Sequence, residues 1–451
     1  MPPQPPAALS LWSDTASQPP QTAALDRDIT CDVAIVGAGY TGLHAALALA
    51  AAGLSPVLLE AADLGAGGSG RNGGVVSAKF RRSYPDLARQ HGLETARRMY
   101  DIAHASVRHL QETLDRFDLA DTGFRKSGAL KCAHTDKAFA RIKAETDWLE
   151  NAFGSSAGRI LSSDEVQEET GSSIFHGGIL QDDAGTIHPL RYLHALAGAV
   201  TKQGITLHTR TPVQTLREDP TGVILETPGG RVRAAQVLLA TNAYSSLTGA
   251  SDTVARCLVP FRSAIVATEP LPDQLDRQIL LSERSYTETH RMMRWFRKVD
   301  GRVLFGGRGA LGAVDSPAAF RRLEKALHHT FPELRDLRTE YRWSGHVALT
   351  LDGLPAGGPP LAQCQLCRRV QRCRCRHVRL CRPPDCRDDD GPPRRTRPHS
   401  PGTPAQTALL PSALAWRKGG DVRLRTDGHA GIGCMAQATN PPVSVSLRDG
   451  D

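Results

Sequence analysis

No apolar run in this 451-residue chain reaches the length of a membrane-spanning helix. The opening residues, MPPQPPAALS, have neither a basic start nor an apolar segment behind it, so no secretory signal is legible. Both absences point to a cytoplasmic protein without a membrane partner. The motifs HExxH and GxxxxGK(S/T) are missing, which removes zinc-protease and P-loop readings. Most of the chain also lacks net charge. The formal +8 and the ten cysteines are concentrated: residues 361–400 hold eleven Arg, four Asp and six Cys. Residues 1–360 are electrically balanced and carry three scattered cysteines, so that stretch supports neither a disulfide framework nor a nucleic-acid surface. The length allows two or three domains and a sizeable core.

What is present starts at residues 32–60, DVAIVGAGYTGLHAALALAAAGLSPVLLE. The order is a short apolar run, Gly37-x-Gly39-x-x-Gly42, an Ala/Leu-rich segment stopped by Gly53, a second apolar run and Glu60. This spells strand, glycine turn, helix, strand, acid. Gly37 lets the chain turn off the strand, and Gly39 leaves room for a pyrophosphate. Gly42 lets helix and strand close up, and the helix amides face the phosphate charge. Tyr40 and Thr41 lie inside that turn. Glu60, 18 residues past Gly42, is placed to accept hydrogen bonds from ribose hydroxyls. A second glycine cluster, GAGGSGRNGG at 65–74, follows directly. Its amides, with Ser69, Gly70, Arg71, Asn72, Gly73 and Gly74, could line a planar or anionic ligand; a plain surface loop is the alternative.

Apolar periodicity predicts helices over 94–119 and 136–153, and Ser162-x-x-Glu165 reads as a capping box. Pro189 suits the start of another helix, with His188 before it reading as structural rather than catalytic. Residues 223–227 and 231–237 flank Pro228-Gly229-Gly230 as a hairpin. Residues 263–268, 292–296, 302–305 and 343–350 read as strands, and 317–331 as a helix. A second GxGxxG at Gly307, Gly309 and Gly312 opens no βαβ unit and reads as a loop.

The two glycine segments together resemble the opening of FAD-dependent amine oxidoreductases of the D-amino-acid-oxidase-like (DAO) family, nearest the γ-glutamylputrescine-oxidase-like members. SGRNGG is the more specific of the two. QVLLATNAYS (236–245) and WSGHVALTLDGLP (343–355) extend the likeness. The resemblance implies an α/β fold class: a Rossmann-like FAD-binding domain with an antiparallel-sheet (α+β) substrate domain. It divides the chain into a flexible arm (1–24), FAD-binding parts (26–95, 172–250 and a truncated 346–360), a helical part (96–171) and a substrate domain (251–345). Leu11-Trp12 offers the arm a docking point. The resemblance implies non-covalent FAD, with Val213 beside the adenine and Thr241 and Asn242 at the carboxyl end of the returning strand. It implies a small-molecule amine as substrate, oxidised at its C–N bond by hydride transfer, and oxygen or another electron acceptor. On the substrate side Arg71, Asn72, Arg308 and His346 are candidates. Residues 302–306 carry no lysine, which leaves the acceptor open. No metal is implied.

After Pro355 the likeness stops. The family continues with an N-G-x-G-x-A turn and a last helix; this chain reads QCQLCRRVQRCRCRHVRLCRPPDC from 363. Zinc held by Cys364, Cys367, Cys373, Cys375 and His377 is one reading, but its ligand spacing is irregular. A nucleic-acid tail is another, but residues 361–400 hold no aromatic residue. The third is a shifted reading frame. Residues 371–378, read one base later, permit N-G-V-G-V-A-(T/M). On that reading residues 361–451 are an aberrant, disordered Cys/Arg/Pro-rich tail, and the chain is either an enzyme that tolerates the break or an inactive flavin-domain remnant.

Overall fold

The computed structural model describes residues 9–247, 252–256, 258–290, 293–309, 317–350 and 353–355. The expectations for Gly312 and for residues 361–451 lie outside the described residues. Among the described residues, no helix is long and apolar enough to cross a membrane, and no group of three His, Cys, Asp or Glu could hold a metal.

The fingerprint strand Ile29–Val36 lies inside a six-stranded sheet ordered Thr206–His208, Pro56–Leu59, Ile29–Val36, Gly230–Leu239, Gly222–Thr227, Thr215–Asp219. The first four strands are parallel, with Val36 facing both Leu59 and Leu239. The last two are antiparallel additions, and Thr227 pairs with Gly230 across the expected Pro-Gly turn that links Gly222–Thr227 to Gly230–Leu239. Residues 33–36 are all buried, because both faces of the strand are covered. Helices Tyr40–Ala51 and Pro189–Lys202 pack one face through Leu43, Leu47, Leu193 and Leu196. Leu25, Val213 and Leu225 close the other.

The second sheet has eight strands, ordered Thr339–Leu349, Val259–Thr268, Arg302–Arg308, Trp295–Val299, Ser285–Glu288, Ala129–Cys132, Gly178–Gln181, Arg159–Leu161. It is antiparallel except where Ser285–Glu288 runs beside Ala129–Cys132. Gly178–Gln181 therefore belongs to this sheet, although a boundary at 172 assigns it to the nucleotide domain. The expected strand 292–296 sits further on, at Trp295–Val299, because Asp300 (φ 48°) and Gly301 (φ 68°) form the hairpin turn. Two positive φ angles match the twist of the flanking strands. One face stacks Tyr286, Phe296 and Phe305, directly opposite one another on three strands with centroids 5.5 and 5.6 Å apart. Helix Pro317–Thr330 covers them with Phe320, Leu323 and Leu327. On the other face Ile265, Ala267, Leu304, Tyr341 and Trp343 join the same core as the fingerprint helix. The two sheets thus share one apolar interior.

Helices Leu93–Arg116 and Asp136–Phe153 form as the periodicity predicts, and Ser162 with Glu165 closes the capping box of Ser163–Thr170. The N-terminal stretch departs from the mobile-arm expectation. A short helix, Leu11–Thr15, is capped by Ser10 and Ser13 and has Leu11 and Trp12 fully buried. The Tyr341 hydroxyl donates to Asp14, and Arg191 donates to the Thr15 carbonyl at 2.8 and 3.1 Å. The helix therefore bridges the second sheet and helix Pro189–Lys202. Leu11→Ala is expected to lower unfolding free energy by about 2–5 kcal/mol in urea titrations, the usual cost of a core cavity. An exposed arm would give no change.

Candidate active site

The fingerprint turn is closed backbone against backbone. Gly37 has φ 104°, and a Cβ there would lie 3.0 Å from the Ala240 carbonyl oxygen. A Cβ on Gly42 would fall 2.0 Å from the Gly37 carbonyl oxygen. Gly39 caps helix Tyr40–Ala51 without a side chain; a Cβ there would meet Ser69 Oγ at 2.9 Å. Ser69 Oγ accepts from the Tyr40 amide at 3.1 Å. The amides of Gly39, Thr41 and Gly42 make no hydrogen bond among the described residues. They form a donor set at the positive end of a twelve-residue helix, which suits a pyrophosphate.

Glu60 ends Pro56–Leu59 beside this turn. Its carboxylate accepts from Ala38 N at 2.9 Å and Ala62 N at 3.1 Å. Burial pushes its pKa up while these amides hold it down. A carboxylate has about four lone-pair positions, so it keeps acceptor capacity for a ribose hydroxyl. Val213 is buried against the outer face of the sheet. Thr241 and Asn242 follow the strand end next to Gly37, with Ala240 N donating to Val36 O at 2.9 Å. Thr241 Oγ1 pairs with Ser245 Oγ at 2.7 Å. Asn242 has φ 40°.

The 65–74 segment is an ordered turn. Gly70 approaches Gly65 so closely that a Cβ would lie 2.3 Å from its carbonyl oxygen. Asn72 braces the turn from within: Nδ2 donates to Ser69 O (2.9 Å) and Gly68 O (3.2 Å), and Oδ1 accepts from Gly74 N (2.8 Å). Its side-chain amide is thereby engaged by three hydrogen bonds within its own turn. Arg71 Nε donates to Ser344 O at 2.6 Å, and its Cβ touches the position a Gly345 side chain would take. His346 Nε2 lies 3.0 Å from Arg262 Nη1, and the His346 ring meets Tyr244 edge-on at 5.3 Å. A guanidinium only donates, so this nitrogen accepts. Arg71 and His346 are thus brought together around Gly345. Arg308 ends its strand opposite Ser263; its side chain lies outside the described residues.

His188 is a helix cap. Nδ1 accepts from Arg191 N at 3.2 Å, leaving Nε2 to donate to Thr15 Oγ1 at 3.0 Å. Burial, with the Arg191 and Arg297 cations nearby, holds its pKa down to about 3. The spelling G-x-S-x-G occurs at Gly154, Ser156 and Gly158. It follows helix Asp136–Phe153 with Gly154 as a left-handed cap, not the strand-to-helix elbow a hydrolase uses.

Sequence reasoning missed three residues here. Trp295 covers Gly73 and Gly306, where Cβ atoms would fall 2.5 and 2.1 Å from its ring. Arg297 donates into the 71–74 turn, and so does Trp12. The usable signal was strand alternation, which puts Trp295 and Arg297 on one face, opposite Phe296.

Comparison with known proteins adds the following. The family profile described as DAO, FAD dependent oxidoreductase, matches residues 32–377. Gamma-glutamylputrescine oxidoreductase of Escherichia coli (strain K12) is 30% identical over 350 residues, covering 77% of this chain and 81% of that protein. The probable oxidoreductase OrdL of Rhizobium meliloti (strain 1021) is 30% identical over 325 residues, 72% of this chain and 74% of that protein. Glycine oxidase from Geobacillus kaustophilus superposes with TM-score 0.61 at 22% identity, over 74% of this chain and 87% of that one. L-proline dehydrogenase from P. horikoshii gives TM-score 0.60 at 18% identity, over 73% and 84%. The two solved structures speak for the fold alone.

Gly42→Ala is expected to weaken FAD binding about five- to 150-fold, since overpacking of roughly 1–3 kcal/mol falls on the turn itself. Titration of the apoprotein with FAD reads this directly. His188 has a folded pKa below its unfolded value. Its stabilising contribution is full above about pH 6.5 and is lost as pH falls toward about 3. His188→Asn keeps a capping acceptor and cannot titrate. Urea unfolding of this variant at pH 7, 6 and 5 should show a shallower loss of stability than the parent.

Proposed function

Since the chain belongs to the DAO family of FAD-dependent oxidoreductases, we propose that it oxidises the C–N bond of an amine, with γ-glutamylputrescine-like compounds first among substrates. The observation that carries this reading is a convergence at one end of the nucleotide sheet. The open amides of Gly39, Thr41 and Gly42, the half-buried Glu60 carboxylate and the ordered 65–74 turn lie side by side there. These residues fit FAD by shape as well as by donor set, because Cβ atoms at Gly39 and Gly42 would obstruct the turn. Gly37, Gly39, Tyr40, Thr41, Gly42 and Glu60 would hold the ADP half, with Val213, Thr241 and Asn242 along its edge. Residues 69–74 would pass the ring toward the second sheet.

FAD supplies the hydride acceptor for such a reaction. The chain's task is to hold the amine neutral, set its carbon over the ring and keep water out. Trp295, packed on Gly73 and Gly306, walls this place on the side of the second sheet. Arg71, Arg308 and His346 are our candidates for the substrate side. In such an oxidation the amine carbon would lose hydride and the nitrogen one proton, and water would hydrolyse the resulting imine to a carbonyl compound with release of ammonia or the smaller amine. Oxygen or another acceptor takes the electrons; strand Arg302–Arg308 has no lysine to favour oxygen. The E. coli relative's name and 30% identity support the γ-glutamyl amine.

A second reading, a flavin-domain remnant, is favoured by the Cys- and Arg-rich composition of residues 361–400. The purified chain decides between the two. Visible flavin bands that survive gel filtration, and that bleach anaerobically with γ-glutamylputrescine, support the oxidase. Bleaching only with free amino acids would move the substrate class. A colourless chain that FAD cannot reconstitute supports the remnant, and resequencing the gene across codon 356 would follow.

A further inference from the structure

The 71–74 turn offers four consecutive carbonyls, and side chains from three distant segments take them all. Trp343 Nε1 donates to Arg71 O at 3.1 Å. Trp12 Nε1 donates to Asn72 O at 2.8 Å. Arg297 Nη1 donates to Gly74 O at 2.7 Å, to Ile187 O at 3.1 Å and, at 3.4 Å, to Gly73 O. In a trans peptide the carbonyl and the following N–H point opposite ways. Holding the carbonyls of Arg71 and Asn72 therefore turns the amides of Asn72 and Gly73 away from the two indoles. Neither amide has a partner among the described residues, whereas the Gly74 amide is taken by Asn72 Oδ1.

Arg297 itself is unusual. It is 4% exposed, has no ion pair among the described residues, and leaves its Nε without a partner. Its guanidinium lies over the Trp12 ring, 5.4 Å from the centroid. Burial lowers its pKa only to about 9, so it stays cationic at neutral pH. A buried cation without an anion is costly to keep. Here it stands directly behind a turn whose open amides face the other way, and both features favour negative charge in front of the turn.

We infer that Trp12 and Arg297 are positioning residues of the flavin site: with Trp343 they clamp the carbonyls of residues 71–74 and so aim the Asn72 and Gly73 amides at the isoalloxazine, favouring its reduced, electron-rich form. The N-terminal helix Leu11–Thr15 is then a working part of the site rather than an appendage. This inference rests on the FAD site described above.

The test uses the full-length holoprotein. Trp12→Phe keeps an aromatic ring over Arg297 and deletes the N–H. It should raise the FAD dissociation constant about three- to tenfold, the range for one lost hydrogen bond. It should also shift the visible flavin band and make the midpoint potential more negative. Arg297→Lys should lower the potential in the same direction. Ser10→Ala removes the cap of the same helix and touches no carbonyl of the turn; it should lower thermal stability and leave spectrum and potential unchanged. Should Trp12→Phe fail to fold, 3-benzothienylalanine at position 12 replaces only the indole N–H by sulfur. Wild-type affinity, spectrum and potential in the Trp12 variant overturn the inference, as do equal shifts in the Ser10 variant. A parent chain that takes up no FAD overturns the site reading and this inference together, whereas FAD uptake with an unresponsive Trp12 variant overturns this inference alone.

Discussion

The contact on which the nucleotide end of the molecule depends is between two glycines. Gly42, in the first turn of helix Tyr40–Ala51, lies so near the Gly37 carbonyl that a methyl group would sit 2.0 Å from it. Because no side chain intervenes, the helix starts directly at the end of the fingerprint strand. Its first amides, without partners among the described residues, then stand beside Glu60 and the strand end at Ala240. A wider turn would move the positive end of the helix away from the acid, and the two could not serve one nucleotide. The same close packing lets Leu43, Leu47 and Leu49 reach the sheet, so the geometry of the site and much of the apolar burial have one cause.

The second sheet is tied to this end through a shared interior. Trp343, Tyr341, Ile265 and Leu304 pack in one cluster with Leu43, Leu58 and Leu196. Such a core does not slide, since interiors are close-packed and respond to small volume changes. That rigidity makes a backbone clamp useful. The 65–74 turn crosses between the two sheets, and glycines at 65, 67, 68, 70, 73 and 74 leave it little conformational preference of its own. Its shape is imposed by Asn72 from within and by indole and guanidinium donors from outside.

Charge around the site is handled by burial and pairing in different proportions. His188 is neutral because burial and two neighbouring arginines both oppose its proton. Glu60 is drawn two ways, by burial against ionisation and by amides in favour of it. Arg297 keeps its proton with backbone carbonyls and the Trp12 ring as its partners among the described residues. The result is a region rich in donors and poor in anions, which suits a cofactor that carries phosphates and accepts electrons.

Much of this was legible in the sequence because the physics behind it is local. A strand, a glycine turn, a helix and an acid at fixed spacing specify the nucleotide half, and that arrangement formed with Gly37, Gly39, Gly42 and Glu60 in their expected places. The helix at Asp136–Phe153, the capping box at Ser162 and the Pro-Gly hairpin are local in the same sense. What tertiary structure decided is everything that depends on distant segments meeting. Nothing in the neighbourhood of Trp12 tells that its indole reaches Asn72, sixty residues on, or that Arg297 lies under Gly74. Nor does local pattern tell that the Asn72 side-chain amide is engaged within its own turn, or that Gly178–Gln181 joins the second sheet. Sequence spacing determines which bonds a segment can make with itself; only the packed core determines which donors arrive from elsewhere.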